Sequence, residues 1–247
     1  MAAITIDSAT PIRVLVADDH AVVREGIKSI LAEAPDIVVV GEASDGVEAI
    51  AETDRLLPEV VVLDVQMPRG GGLETLRALR RSHPSIAVLM LSFHPEETFA
   101  VPFLREGAAG YLAKDRAGEA LLDAIRRIRA GHKYVTAPAA EKLARRLVPS
   151  SQASPHDGLS AQELIVLSRL ASGRSVDEIG EELLLSSRTI QRCCCRIVAK
   201  TGLPSQVSAI HYAMHQGIGY PSGAPTMEPG WSGSSHPARR WNPAAGA

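Results

Sequence analysis

Val60-Val61-Val62-Leu63-Asp64-Val65-Gln66-Met67 decides how this chain is read. Three β-branched residues and a leucine form a short apolar run, the pattern of a strand covered on both faces. The run ends on a carboxylate, Asp64, and Pro68, Gly70, Gly71 and Gly72 follow it. In open α/β sheets, ligands and reactive groups gather just beyond the carboxyl ends of the strands. Asp64 is therefore the first candidate for the reactive group.

Four more apolar runs surround it: Arg13–Ala17, Ile37–Val40, Ala87–Leu91 and Ala109–Leu112. Between them lie stretches with helical spacing, near Ala21–Ala34, Gly46–Leu57, Leu73–Ser82 and Glu96–Glu106, and a fifth from Gly118 to Ala130. Strands alternating with helices imply a parallel sheet with helices on both faces. Right-handed crossovers place the strand-to-helix loops along one edge. The same edge then receives Asp18-Asp19, Asp64, Ser92 and Lys114. Taken singly, Asp-Asp after a strand is a helix cap and a lone Asp is a turn residue. Convergence at the ends of four strands points to chemistry instead. Three close carboxylates repel and call for a cation. Mg²⁺ suits them, because it binds a few carboxylates and leaves positions for phosphate oxygens. A lysine and a hydroxyl beside it can contact an added phosphoryl group.

Length and composition set the frame. At one domain per about 100–200 residues, 247 residues make two domains. No apolar run approaches the ~18 residues of a membrane span, and the N-terminus lacks the pattern of a secretory signal. The three cysteines, Cys193, Cys194 and Cys195, are adjacent, which is no disulfide framework and no metal site. They read as small half-buried side chains in a reducing cytoplasm. Residues 1–130 carry 14 Lys and Arg against 20 Asp and Glu, and residues 131–247 carry 12 against 8. An acidic half joined to a basic half places the nucleic-acid candidate downstream.

After Gly131, a C-cap candidate, Ala137–Leu147 is a candidate short helix. The polar, turn-rich run Pro149–Gly158 reads as a flexible linker. From Leu159 the pattern is helical throughout. Ser160 with Glu163 and Ser175 with Glu178 make capping boxes. Leu184-Leu185-Ser186 forms a tight turn between Val176–Leu183 and Ser187–Lys200, and a fourth helix spans Gln206–Gln216. Two helices joined by a three-residue turn fit a helix-turn-helix. At about 100° per residue, Ile190, Cys194, Ile197 and Thr201 share the core face of the third helix. Arg188, Arg192 and Arg196 lie opposite, flanked by Gln191 and Lys200, and the helix has no acidic residue. Such a face suits the major groove and its phosphates. Residues 220–247 are rich in Pro, Gly, Ser and Ala and read as a disordered tail, with Trp231 and Trp241 as incidental aromatics.

Val14-Leu15-Val16-Ala17-Asp18-Asp19-His20, Leu63-Asp64-Val65-Gln66-Met67-Pro68, Leu91-Ser92 and Gly110-Tyr111-Leu112-Ala113-Lys114-Asp115 resemble the receiver domain of bacterial two-component response regulators, the NarL type in particular. Leu159-Ser160-x-x-Glu163, Gly173-x-Ser175-x-x-Glu178-Ile179, Leu183-x-Leu185-Ser186-x-x-Thr189-Ile190 and Lys200-x-Gly202 resemble a LuxR-type DNA-binding domain. The resemblance implies a flavodoxin-like α/β receiver, a five-stranded parallel sheet in the order 2-1-3-4-5, over residues 12–130. A linker at 131–156 and an all-α four-helix domain at 157–219 follow. It also implies that Asp64 accepts a phosphoryl group from a sensor histidine kinase. Asp18, Asp19, Asp64 and the Gln66 carbonyl would bind Mg²⁺. Ser92 and Lys114 would contact the phosphate, and Tyr111 would be the aromatic switch; the plain alternative for Tyr111 is a sheet-edge aromatic with its hydroxyl in water. DNA contacts would come from Arg188, Thr189, Gln191, Arg192, Arg196 and Lys200.

Five departures from the family pattern stand out. Gly71 replaces an Asp, which removes a cap for the next helix and should loosen the loop beside Asp64. Pro102 falls where the family has a continuous helix, so that helix should kink or start late. The dimerisation surface around it is expected to switch differently. Gln191 and Cys193 replace a lysine and a histidine on the third helix, and Gln162 replaces an arginine.

The expected function is a DNA-binding response regulator, cytoplasmic and not an enzyme, that forms a homodimer on two half-sites when phosphorylated. Two alternatives are a phosphorylation-independent DNA binder and a protein-interaction module with weakened DNA binding.

Overall fold

The computed structural model describes residues 10–147 and 154–219, with the backbone alone at 142, 143 and 145–147. The expected tail at 220–247, with Trp231 and Trp241, lies outside the described residues, as do Val148 and positions 149–153 of the polar run.

Strands β1 (Ile12–Ala17), β2 (Ile37–Ala43), β3 (Val60–Asp64), β4 (Ala87–Ser92) and β5 (Gly110–Ala113) form one parallel sheet in the order β2-β1-β3-β4-β5. Helices α1 (Ala21–Ala32), α2 (Gly46–Leu56), α3 (Gly71–Ser82), α4 (Glu96–Arg105) and α5 (Ala117–Arg129) cover it. Alternate residues of β3 enter two different cores. Val61 and Leu63 pack with Leu76, Leu79, Phe99 and Phe103. Val60 and Val62 pack with Ile27, Leu31, Leu121 and Ile125. Burial on both faces is why the strand reads as a continuous apolar run.

Three details differ from expectation. β2 runs on to Ala43, because Gly41, Glu42 and Ala43 pair with Leu15, Val16 and Ala17 after a register shift. Backbone pairing continues there although the apolar pattern has stopped. α3 begins at Gly71, two residues earlier than expected, behind an N-cap, Gly70, that has no side chain to offer. The loop is nevertheless held. The Gly72 amide donates to the Val65 carbonyl at 3.1 Å. Arg69 pairs with Asp45, which itself caps α2 by accepting from the Glu48 amide at 2.9 Å. α4 starts at Glu96, so Pro102 is interior and a late start is excluded. Pro102 has no amide for the Thr98 carbonyl, a penalty of about 3 kcal/mol in a free helix. Here the helix is anchored by buried Phe99, Ala100 and Phe103.

After α5, Gly131 adopts φ +86°, and amides of Gly131 and His132 donate to the carbonyls of Ile128 and Arg127. This is a Schellman stop. α6 (Ala137–Leu147) follows and packs on α4. Then come α7 (Ala161–Ala171), α8 (Val176–Leu183), α9 (Ser187–Thr201) and α10 (Gln206–His215). Both predicted capping boxes are formed, Ser160 with Glu163 and Ser175 with Glu178. Leu164, Ile165, Leu167, Ile179, Ile190, Cys194, Ile197 and Ala213 make the core of these helices. Among the described residues no helix is long and apolar enough to cross a membrane.

Gly72 is where the fold bears on the site. A Cβ there would lie 2.1 Å from the Asp64 carbonyl oxygen and 2.7 Å from the Val65 Cα, both backbone atoms. We expect Gly72→Ala to destabilise the chain by roughly 2 kcal/mol or more. Gly26→Ala, on a helix with nothing within 4 Å of the added carbon, should instead stabilise it by about 0.5–1 kcal/mol. Urea unfolding of the two variants measures both.

Candidate functional site

Sheet register assembles the first site. Ala17 pairs with Leu63, Asp64 with Leu91, and Ser92 with Ala113. Asp18, Asp64, Ser92 and Lys114 therefore leave four strands at one level of the carboxyl edge. Asp18 and Asp64 are almost fully buried, and the Lys114 ammonium lies 2.6 Å from Asp18 Oδ2 and 3.0 Å from Asp64 Oδ2. Burial pushes the Asp64 carboxyl up to about 7; Lys114 opposes the rise and Asp18 adds to it. For Lys114, burial acts to lower the pKa, but the two carboxylates outweigh it and hold the ammonium above the ordinary lysine value.

Ligand atoms of Asp18, Asp19, His20 and Asp64 all lie within 4.8 Å of one another. Asp18 Oδ2 and Asp64 Oδ2 are buried, and among the described residues the one ammonium of Lys114 stands against both. Clustered carboxylate oxygens that share a single ammonium have acceptor capacity to spare, which fits a hard divalent cation. His20, whose Nδ1 is 2.7 Å from Asp19 Oδ1, belongs to this cluster and was not singled out from the sequence.

The remaining expected residues of this edge meet at His94, which sequence reasoning missed. Ser92 is buried and its Oγ accepts from the His94 amide at 3.1 Å. Tyr111 is buried too, with its hydroxyl donating to the His94 carbonyl at 3.3 Å rather than to water. Burial raises the pKa of that phenol. The Gln66 side chain reaches His94 Nε2 at 2.8 Å. Burial, with the Arg169 guanidinium near, pushes the His94 pKa down to about 3, so the imidazole is neutral. The only signal for His94 in the sequence was its place two residues past Ser92.

The second site is α9. Arg188, Gln191, Arg192, Arg196 and Lys200 are all exposed. They do not form one free face. Arg196 Nε lies 3.0 Å from Glu163 Oε1 and Lys200 Nζ 2.7 Å from Glu163 Oε2, with Glu163 buried at the start of α7. Burial works to raise the Glu163 carboxyl, but Lys200 and the Ser160 amide hold it below the ordinary range. Thr189 serves the helix N-terminus: its amide donates to the Ser186 hydroxyl at 3.2 Å. Cys193 joins Cys194 in the core, and Cys195 is exposed. Arg188, Gln191 and Arg192 are left as the outward polar group.

A doubly wound parallel sheet with a buried aspartate–lysine edge, followed by a capped helix-turn-helix, defines a signalling module coupled to a DNA-binding one. Comparison with known proteins agrees. Residues 14–126 match the response regulator receiver domain family, and residues 157–213 match the luxR family of bacterial regulatory proteins. Response regulator GacA of Pseudomonas protegens is 38% identical over 207 residues, covering 84% of this chain and 97% of that protein. Response regulator UvrY of Escherichia coli K12 is 36% identical over 208 residues, covering 84% and 95%. A structure of RcsB from Salmonella enterica serovar Typhimurium, bound to promoter P1flhDC with phosphomimetic BeF3-, shares 25% identity and covers 82% of this chain and 98% of its own, with a TM-score of 0.65. The chain belongs to the response regulators that join a receiver domain to a LuxR-type DNA-binding domain.

The raised pKa of Asp64 has a signed consequence. Below the unfolded value both states are protonated, and the buried carboxyl costs nothing extra. As pH rises from about 4 to 7 the unfolded state ionises first, so stability falls. Without divalent cation, the wild type should lose on the order of 2 kcal/mol more than Asp64→Asn between pH 5 and pH 7.5. Urea unfolding at the two pH values, in chelator, checks this.

Proposed function

We propose that this chain is a phosphorylation-controlled transcription regulator in which Asp64 accepts a phosphoryl group from a sensor histidine kinase. The observation that carries the reading is the buried Asp64 carboxylate, 3.0 Å from Lys114 and beside Asp18 at the carboxyl edge of the sheet. An Asp64 oxygen attacks the phosphorus, the P–N bond of the phosphohistidine breaks, and the imidazole leaves with the electron pair. Asp18, Asp19, Asp64 and the Gln66 carbonyl would hold Mg²⁺, which when bound neutralises charge on the phosphoryl oxygens. Lys114 favours the ionised form of Asp64 against the burial that raises its pKa, and contacts the phosphoryl group after transfer. Ser92 turns its hydroxyl to the same group, and Tyr111 follows Ser92.

Residues 12–130 are taken as the receiver, 131–156 as the linker and 157–219 as the DNA-binding domain of a cytoplasmic protein. A phosphorylated homodimer would bring two copies of α9 to adjacent half-sites of double-stranded DNA. Arg188 and Arg192 would meet phosphates or guanine edges, and Gln191 an adenine edge. Arg196 and Lys200, engaged by Glu163, set the pose of α9 more than they read DNA.

The test is DNA binding by wild type and Asp64→Ala, each with and without acetyl phosphate. Tighter binding only by phosphorylated wild type is expected. Equal binding in all four cases would establish a phosphorylation-independent binder, and none in any case would favour a protein-interaction module. Arg188→Ala and Arg192→Ala should each lower affinity across sequences and reduce the salt slope by about 1. Lys200→Ala should change the slope less.

A further inference from the structure

His94 is the point where the phosphoacceptor edge touches the DNA-binding half. Its backbone is held by the two expected switch residues: the amide by Ser92 Oγ at 3.1 Å and the carbonyl by the Tyr111 hydroxyl at 3.3 Å. Its ring stacks on Phe99 of α4, with centroids 4.4 Å apart. Its Nε2 lies 2.8 Å from the Gln66 amide nitrogen and 3.4 Å from Ser168 Oγ of α7. The Gln66 amide nitrogen is a donor and the Ser168 hydroxyl can be one, which fits a neutral imidazole with Nε2 as acceptor. His94 and Ser168 are both buried, so this contact lies inside the seam where α7 meets α4. Val65, Gly71 and Leu73 line a cleft in the same seam with Ile165, Leu183 and Leu185.

We propose that His94 is the joint between the two halves: it holds Ser168, and with it α7, on the receiver while Ser92 holds the His94 backbone. The inference rests on the phosphoacceptor reading of Asp64. When Ser92 turns to a phosphoryl group, the buried His94 amide loses its acceptor, which a folded interior does not tolerate. The loop then moves, and the longest bond of the set, to Ser168, is lost. Gln66 bears on the same joint from the other side, since its side-chain amide meets His94 and its backbone carbonyl would hold the cation. Docking leaves Arg188, Gln191 and Arg192 exposed. The joint therefore fixes where α9 points and does not cover it.

A joint of this kind is reciprocal: if phosphorylation loosens the Ser168 contact, loosening that contact favours the phosphorylated form. The test is equilibrium binding of beryllofluoride, with Mg²⁺, to the full chain as wild type, Ser168→Ala, His94→Ala and the double variant. Hydrogen exchange of α7 is followed in each. Ser168→Ala removes one hydroxyl from the far side of the seam and leaves the receiver loop intact. It should tighten beryllofluoride binding by roughly three- to tenfold, the worth of one hydrogen bond, and speed exchange in α7. His94→Ala should do the same, and the double variant should add nothing further. Unchanged beryllofluoride affinity in Ser168→Ala, with the wild type binding normally, overturns the joint alone. Failure of the wild type to bind beryllofluoride overturns the phosphoacceptor reading and the joint with it.

Discussion

A carboxylate buried at the end of a strand is the constraint on which this structure turns. An ionised Asp64 in the interior is costly unless a cation is close. Lys114, reaching across from the far end of β5, supplies the charge to both Asp64 and Asp18. The arrangement demands correct register across β1, β3, β4 and β5 together, because a slip of one residue would send a charged group into an apolar face. It also demands that the backbone pass within contact distance of Asp64 on the α3 side, which only a glycine at position 72 permits.

The DNA-binding half repeats the logic with different parts. Glu163 is buried, completes the capping box of α7, and draws Arg196 and Lys200 of α9 onto itself. One carboxylate thus ends a helix and sets the rotation of the next but one. The basic residues that seem most available on a helical wheel divide into two jobs. Two of them orient the helix, and Arg188 and Arg192 face outward from it.

Between the halves the contacts are of another kind. The receiver contributes apolar side chains, three consecutive glycines and a neutral histidine, while the helical half contributes Ile165, Leu183, Leu185 and Ser168. Among the described residues no ion pair joins the two halves, and such a seam can part without stranding a paired ion in the interior. This suits an interface that has to respond to a single group added some distance away.

Much of this was legible in the sequence. Short β-branched runs gave the strands, and helical spacing, capping boxes and Gly131 gave the helices and their ends, because those signals act over a few residues. The candidate residues Asp18, Asp19, Asp64, Ser92 and Lys114 could be placed on one edge, since parallel topology forces strand ends together. What the sequence could not supply was anything set by contacts between distant segments. The extension of β2 through Glu42, the persistence of α4 through Pro102 and the firm loop at Gly71 each depend on pairing or packing elsewhere in the chain. Glu163 looked like a cap and proved also to be a clamp, and His94, which carried no signal of its own, proved to be a hub. Local periodicity states which face a residue takes; only the folded chain decides which charge or donor it meets there.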